Sequence, residues 1–226
     1  MPVTIDELTV ADAPAPWAAL GFAVSGDTLV LGEVRIRFAG PGEARGGGED
    51  AAGGPPRTAL SGWSLRAAAS AELDGLPTTL SDREPPPPAS AQPNGITAID
   101  HVVAMTPDLE RTVAALRAAG LDLRRIREEP TPAGAPRQAF FRLGAVILEV
   151  VQEPPEAIER AGGDHPAFFW GLALLAPDLD ATVARLGGEV VSGPRPAVQP
   201  GRRIATLRRA ADLALPVALI TPPPKG

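Results

Sequence analysis

The sequence predicts an α+β protein built from repeated βαβββ-like units, and three observations predict this class. A pattern of Pro, Asp, Leu, Thr, Val, Ala and Leu at residues 107–116 returns in the same slots at residues 177–186. An apolar, strand-like segment precedes each copy, at residues 99–105 and 170–176. Short apolar segments separated by turn residues, typical of strands in a sheet, follow each copy. Internal repetition of this kind indicates duplicated supersecondary units.

The composition narrows the classes of function. The chain of 226 residues has a formal net charge of −6 and no cysteine. The acidic balance argues against a nucleic-acid surface, and the lack of cysteine excludes disulfides and thiolate chemistry. No basic-then-apolar leader opens the chain, and no apolar run approaches the roughly 18 residues of a membrane span. We therefore expect a soluble, cytoplasmic protein without nucleic-acid or membrane partners.

Residues 1–70 are predicted to form a first β-α-β-β-β unit. Residues 3–10 alternate between apolar and polar, as in a strand with one buried face. Asp12 is placed to cap a short helix that carries Trp17 and ends at Gly21. Further strands are predicted at residues 22–24, 28–31, 34–38 and 60–67, with a mobile Gly- and Pro-rich loop at residues 40–56.

A Pro-rich linker is predicted over residues 71–95. Its prolines lack a backbone donor, so the segment cannot carry a helix or an inner strand. The predicted organisation is therefore an N-terminal unit at 1–70, this linker, and a domain at 96–226 that contains two units, 96–153 and 166–222.

The unit at 96–153 carries the clearest signals. Its first strand is predicted at residues 96–105, with Thr106 as the N-cap and Pro107 as the first residue of a helix that closes at Gly120. The remaining elements are a strand at 121–126, a loop at 128–135 and a hairpin of strands 138–143 and 146–151.

The hairpin can be assigned a register, because Gly144 as the first of two turn residues suits a type II′ turn. This turn pairs Leu143 with Val146 and Phe140 with Glu149. One face is then wholly apolar and must lie under the helices. The other face is mixed in character, as expected for the wall of a wet cavity, and a one-residue slip would exchange the two faces. The mixed face consists of Gln138, Phe140, Arg142, Ile147, Glu149 and Val151.

The last unit repeats the pattern after a connector at residues 154–168 that contains His165. Its predicted elements are strands at 169–176, 189–192, 203–208 and 217–221, a helix at 177–186 and a loop at 193–201.

Two of these segments resemble a known family. Ile99-Asp100-His101-Val102-Val103 precedes Pro107-Asp108-Leu109, and Val146-Ile147-Leu148-Glu149-Val150-Val151 follows about 45 residues later. This arrangement resembles the vicinal oxygen chelate superfamily, the group of glyoxalase I, extradiol dioxygenases and bleomycin-resistance proteins. The resemblance covers 96–222 well and 1–70 loosely. It implies that two βαβββ units pair into an eight-stranded curved sheet, or cup, while the extra N-terminal unit covers an edge or pairs across a homodimer.

The resemblance also implies positions for metal ligands. In metal-using members the ligands lie on the first and last strands of each unit, and His101 and Glu149 match these points in the middle unit. Gly171 and Ala218 match them in the last unit, and neither can bind a metal. Two protein ligands fall short of the three of a typical catalytic zinc site and of the two-His-one-carboxylate iron set.

A divalent metal would therefore need another ligand, from Glu7, His165, Gln199 or water. Glu7 becomes a candidate if the first and second units form the cup, because Ile5-Asp6-Glu7-Leu8 aligns with the segment around His101. The closer repeat between the second and third units favours their pairing instead.

A small-molecule ligand in the cup would meet aromatic and polar side chains. Aromatic rings could stack on a planar ligand, and the segment from Gln199 to Arg203 could clamp a carboxylate or phosphate. The candidate ligand-binding residues are Gln138, Phe140, Arg142, Trp170, Gln199 and Arg203.

The resemblance favours a glyoxalase-like cup that binds a small molecule, with catalysis undecided, and three functions are compatible with it. The first is a metal-dependent lyase, isomerase or dioxygenase acting on a substrate with adjacent oxygens, with Glu149 as the catalytic base. The second is a glyoxalase-like protein that binds a small molecule in the cup without a metal. The third is a structural module with a vestigial cup. The empty ligand points of the last unit favour the second and third, whereas the His101–Glu149 pair favours the first over the third.

Overall fold

The computed structural model describes residues 1–40, 59–87, 91–131 and 134–224. The loop predicted at residues 40–56 lies, apart from Gly40, outside these residues. Among the described residues, no helix is both long and apolar enough to span a membrane. The strands are β1 Thr4–Val10, β2 Thr28–Leu31, β3 Val34–Phe38, β4 Leu60–Arg66, β5 Thr78–Ser81, β6 Ala98–Thr106, β7 Asp122–Arg127, β8 Gln138–Leu143, β9 Val146–Gln152, β10 Phe168–Leu175, β11 Arg195–Pro196, β12 Arg203–Thr206 and β13 Val217–Ile220. The α-helices are α1 Pro14–Ala19, α2 Leu109–Ala118, α3 Pro155–Arg160 and α4 Leu179–Leu186.

The second and third units form one eight-stranded sheet, as predicted. Its order is β11-β12-β13-β10-β6-β9-β8-β7, with the first strands of the two units, β6 and β10, antiparallel at its centre. The strand that closes each unit lies parallel to its first strand, β9 to β6 and β13 to β10. Val102 of β6 pairs with Leu172 of β10, and a pseudo-twofold axis that relates the two units passes between them. These two residues are as far apart in the chain as the two copies of the sequence repeat.

The predicted hairpin register is confirmed. Phe140 pairs with Glu149 and Leu143 with Val146, and Gly144 has a φ of 65° as the turn requires. The apolar face is buried, and α2 packs on β7, β8 and β9 through a stripe that includes Leu109 and Leu116. The mixed face is left to form the wall of a cavity.

The N-terminal residues form a separate five-stranded sheet. Its order, β2-β3-β1-β4-β5, matches the inner strands β8-β9-β6-β10-β13 of the larger sheet, with the same parallel and antiparallel pairings. The likeness extends to single hydrogen bonds. Trp63 N–H donates to the Pro77 carbonyl at 3.1 Å, and Leu172 N–H donates to the Pro216 carbonyl at 3.0 Å. The smaller sheet therefore repeats the centre of the larger one.

The predicted linker contributes to this smaller sheet. Its residues 78–81 form the edge strand β5, and Leu73 and Leu76 are buried in the core. The described part of the segment contains no helix. An edge position is compatible with neighbouring prolines, because one side of the strand needs no backbone donor.

Several predicted element boundaries are wrong. Residues 22–24 form no strand, because the Ala23 N–H donates to the Gln92 side chain at 2.8 Å. Residues 189–192 form a turn with one isolated bridge, and the edge strand is β11 instead. The connector contains the unpredicted helix α3.

Two predicted helix caps are also wrong. Asp12 does not cap α1, because its carboxylate accepts hydrogen bonds from Trp17 Nε1 at 3.1 Å and Ala214 N at 2.7 Å. Thr106 is the last residue of β6, and the cap of α2 is Asp108, which accepts from Arg111 N at 3.0 Å. In both cases a tertiary partner or strand pairing outweighs the local capping preference.

The two sheets share one hydrophobic core. Strand β4 of the small sheet packs against β10 of the large one. The rings of Trp63 and Phe169 meet edge-on, with their centroids 5.0 Å apart. Both side chains are almost fully buried, so the contact belongs to the core rather than to a wet boundary.

Candidate functional site

The mixed face of β6, β8 and β9 opens onto a cavity of about 590 Å³. This volume is within the range of small-molecule sites. The loop between β11 and β12 closes one side. The described residues that line the cavity are His101, Arg125, Ile126, Arg127, Glu129, Gln138, Phe140, Glu149, Ala197, Val198, Gln199, Pro200, Ile204 and Ile220.

His101 and Glu149 lie side by side on the cavity wall. Strand pairing sets Val103 opposite Glu149, so Glu149 and His101 project from the same face of neighbouring strands. His101 Nε2 is 3.5 Å from Glu149 Oε2, and the two side chains are 13% and 14% exposed. The pair is therefore accessible from the cavity and shielded from bulk water.

A buried ion pair orients His101. Its Nδ1 is 2.7 Å from Asp100 Oδ2, and Arg202 Nη2 donates to Asp100 Oδ1 at 2.6 Å. Burial would raise the pKa of Asp100, but hydrogen bonds from His101 and Arg202 outweigh it and hold the pKa below its ordinary value. A charged Asp100 can only accept, so Nδ1 carries the proton and Nε2 is left facing the cavity.

Asp100 and Arg202 are site residues that the sequence did not reveal. Adjacent residues on a strand normally point to opposite faces, so alternation alone does not place Asp100 beside His101. The pairing of β6 with β10 shifts register between Ala173 and Leu174, which leaves Asp100 in a bulge. The bulge brings its carboxylate to the His101 ring.

Burial shapes the chemistry of Glu149. It raises the pKa of this carboxyl above its ordinary value, and the charges of His101, Arg125 and Arg127 only partly oppose the rise. Gln138 Nε2 donates to Glu149 Oε1 and holds the group in place. Glu149 therefore keeps its proton to a higher pH than a carboxyl group in water.

Three of the predicted ligand-binding residues line the cavity, namely Gln138, Phe140 and Gln199.

The other three lie outside the cavity lining, each for a local reason. Arg142 is exposed near the turn, and its Nε donates to the Gly144 carbonyl at 3.1 Å. Trp170 sits in a bulge of β10 and is 50% exposed. Arg203 turns outward to Asp180 on α4, at 2.7 Å.

The ligand set does not fit a typical catalytic metal site. Ala173 pairs with Ala218 in the last unit as Val103 pairs with Glu149 in the middle unit. Gly171 and Ala218 are therefore at the positions that correspond to His101 and Glu149. A Cβ on Gly171 would lie 2.6 Å from the Pro216 carbonyl oxygen, so this point has no room for a side chain.

The other candidate ligands do not complete the set. Glu7 belongs to the five-stranded sheet and pairs with Arg37 and Arg83 at 3.2 and 2.9 Å. His165 Nε2 is 3.2 Å from Glu153 Oε2, in a buried pair without hydrogen-bond alignment, and neither residue lines the cavity. In the described parts of the chain, no three His, Asp or Glu side chains cluster as a metal site. His101 and Glu149 supply two ligands where catalytic zinc takes three.

Comparison with known proteins yields matches in structure alone. No protein-family model matches the chain, and no curated protein sequence matches it. Methylmalonyl-CoA epimerase from Mycobacterium tuberculosis is 20% identical over 57% of this chain and 91% of its own, with a TM-score of 0.47. The hypothetical protein BH1468 from Bacillus halodurans C-125 is 16% identical over 57% and 96%, with a TM-score of 0.45. A variant of Streptomyces coelicolor methylmalonyl-CoA epimerase, in complex with 2-nitronate-propionyl-CoA, is 22% identical over 56% and 94%, also at 0.45.

Two βαβββ units around a central antiparallel strand pair are the arrangement of the vicinal oxygen chelate proteins, and the eight-stranded sheet has it. The chain has the vicinal oxygen chelate fold. Its larger sheet forms the cup of that fold, and the cavity over β6, β8 and β9 occupies the cup.

Proposed function

We propose that this chain is a glyoxalase-like protein that binds a small organic molecule in its cup without a metal. One observation carries the proposal. A cavity of about 590 Å³ with largely apolar walls contains a convergent polar pair, His101 and Glu149. An apolar pocket with a few fixed polar groups is the usual form of a small-molecule site.

The polar pair offers two hydrogen-bonding groups to the ligand. Asp100 holds the Nδ1 side of the His101 ring, so Nε2 is the ring nitrogen that faces the ligand. The raised pKa of Glu149 favours the protonated carboxyl as a donor, and Gln138 supports this group. The same proton on Glu149 is the one that an enzyme with this site would transfer, so Glu149 is the residue we propose for any catalytic step.

The first prediction tests whether a ligand occupies the cup. It compares tryptophan substitutions at two positions with similar exposure, one inside the cavity and one outside it. Val198 lines the cavity at 55% exposure, whereas Leu80 lies in the five-stranded sheet at 54% exposure. We expect compounds from a metabolite panel to raise the melting temperature of the native protein and of Leu80→Trp, but not of Val198→Trp. A ligand at about 100 times its Kd stabilises by about 2.7 kcal/mol, which thermal-shift assays resolve.

Two results would contradict this proposal. One is that no compound raises the melting temperature, which would favour a structural module with a vestigial cup. The other is that ligands stabilise Val198→Trp as much as Leu80→Trp, which would place the binding site elsewhere.

A second candidate function is that of a metal-dependent lyase, isomerase or dioxygenase. It is favoured by the 3.5 Å separation of His101 Nε2 and Glu149 Oε2, which two ligands of one ion could adopt. Elemental analysis of the protein purified without chelators separates the two candidates. Equimolar zinc, iron, cobalt or manganese that is lost in both His101→Ala and Glu149→Gln would favour the metal-dependent function.

A further inference from the structure

The charged groups that line the cavity are not all directly paired. Glu149 is held by Gln138 and His101, as described above. Arg127 Nε faces Glu129 Oε2 at 3.8 Å. Arg125 is different, because in the described part of the chain its guanidinium has no carboxylate within ion-pair distance and donates no hydrogen bond. Among the described residues, the cavity wall thus carries one guanidinium without a direct ion-pair or hydrogen-bond partner.

The position of Arg125 is fixed by its strand and by Phe140. The pairing of β7 with β8 shifts register between Leu123 and Arg125, so a bulge at Arg124 brings Arg125 opposite Phe140. The guanidinium carbon lies 4.7 Å from the centre of the Phe140 ring. Such a contact holds the guanidinium over the ring while its edge keeps donors for another partner.

Much of the remaining wall is apolar. It includes Val198, Ile204 and Ile220. A ligand that satisfies both surfaces has an apolar body and an acidic group at one end. A guanidinium edge binds a carboxylate through two parallel hydrogen bonds, a geometry that a neutral amide cannot match.

We propose that the cup selects organic acids and that Arg125 binds their carboxylate. The inference rests on the proposed function, since it names the class of ligand that the cup takes. It also assigns Arg125 as the residue that determines this specificity, a role the sequence did not indicate.

The test compares acids with their neutral amides. The probes are benzoate, naphthalene-2-carboxylate and octanoate, each with its matching carboxamide, and binding is measured by NMR titration of the full chain. We expect at least one acid to bind about tenfold or more tightly than its amide, because a hydrogen bond to a charged partner is worth about one to two orders of magnitude in affinity.

Variants assign the preference to one residue. Arg125→Gln should reduce the preference for the acid to less than about threefold, whereas Arg125→Lys should retain part of it through charge alone. Arg124→Gln is the matched control, because Arg124 is the preceding residue on the same strand, is 55% exposed and lies outside the cavity lining. It should keep the full preference.

The outcomes separate this inference from the proposed function. Equal binding of acid and amide, or an unchanged preference in Arg125→Gln, overturns the acid specificity and leaves binding in the cup intact. Absence of binding by every member of the three pairs, together with a negative metabolite panel, overturns both. If Arg124→Gln loses the preference for the acid as fully as Arg125→Gln does, the preference depends on the strand as a whole. That result overturns the role of Arg125.

Discussion

The carboxyl group of Glu149 lies where its charge is disfavoured. Burial raises its pKa, and the charge of Asp100 adds to the rise, while His101 and two arginines oppose it. The group that we propose for any catalytic step is therefore also a source of pH-dependent instability. Perturbed pKa values of this kind cluster at functional sites.

The raised pKa of Glu149 makes the stability of the protein depend on pH. A carboxyl whose pKa is raised by folding holds more protons in the native state than in the unfolded state above pH 4.5, its ordinary pKa. Stability then falls as the pH rises through the folded pKa. We predict that Glu149→Gln, which cannot ionise, gains stability relative to the native protein between pH 4 and pH 8, measured by urea unfolding at each pH. A difference that stays constant over this range would contradict the prediction.

Asp6 provides a control, because its pKa is shifted in the opposite direction. It is fully buried, and although burial alone would raise its pKa, hydrogen bonds from Ser81 and Arg83 and the charge of Arg66 hold the pKa below its ordinary value. Its contribution to stability is present at neutral pH and is lost as the pH falls below about 3.8. Asp6→Asn should therefore be most destabilised at neutral pH, by about 1–3 kcal/mol, because it removes the charge of the buried carboxylate that Arg35, Arg66 and Arg83 share.

At the scale of elements, β-bulges decide which side chains reach the cup. A bulge in β6 brings Asp100 beside His101, and a bulge in β7 sets Arg125 over Phe140. A bulge in β10 has the reverse effect, because it turns Trp170 to the surface. Strict alternation along each strand would have assigned all three side chains differently.

Two equivalent glycines test the duplicated strand pairing. A Cβ on Gly171 of β10 would lie 2.6 Å from the Pro216 carbonyl oxygen, and one on Gly62 of β4 would lie 3.1 Å from the Pro77 carbonyl oxygen. Neither backbone can yield without breaking a strand hydrogen bond. We predict that Gly171→Ala lowers the free energy of unfolding by about 1–3 kcal/mol and Gly62→Ala by less.

Gly188 supplies the matched control for this series. Nothing lies within 4 Å of a Cβ placed there, so Gly188→Ala should change the free energy of unfolding by less than about 0.5 kcal/mol. Equal effects at Gly171 and Gly188 in urea unfolding would show that the close approach in β10 does not constrain the strand.

At the scale of the whole molecule, the small sheet repeats the large one with different chemistry. Thr9 pairs with Arg37 as Val103 pairs with Glu149, and Glu7 holds the register position of His101. Arg37 Nε donates to Glu7 Oε1 at 3.2 Å, so an ion pair stands where the large sheet has its His–Glu pair. The two sheets thus share a pattern of strands but not a candidate site.

The shared core predicts that both sheets unfold together. Leu148 is fully buried in β9, and Trp17 is fully buried on the five-stranded sheet beside Phe38. We predict that Leu148→Ala, which should cost about 2–5 kcal/mol, lowers the urea midpoint by tryptophan fluorescence and by far-UV circular dichroism equally.

The native protein and Leu148→Ala should both carry Trp170→Phe, because this change confines the fluorescence to the buried tryptophans of the small sheet. Val198→Ala is the control, because Val198 is 55% exposed and should shift neither midpoint. A fluorescence transition that Leu148→Ala leaves unmoved would show that the small sheet unfolds independently.

Features that depend on short-range pattern could be predicted from the sequence. The repeat of residues 107–116 in 177–186 identified the paired units, because each copy must bury the same apolar helix face on the same kind of sheet. The turn at Gly144 determined the hairpin register and with it the mixed face that carries Gln138, Phe140 and Glu149. Local hydrogen bonding and side-chain alternation are sufficient for these conclusions.

Other features depend on contacts between distant parts of the chain, and only the tertiary structure decided them. Asp12 was predicted as a helix cap, but it bonds Ala214, 202 residues away along the chain. Asp100 reached the site through a bulge and a bond to Arg202, and Arg203 turned away to Asp180. A bulge or a long-range ion pair changes the direction of one side chain without altering the apolar pattern. The sequence therefore determined the fold and the wall of the cup, whereas the tertiary structure decided which polar groups face the ligand.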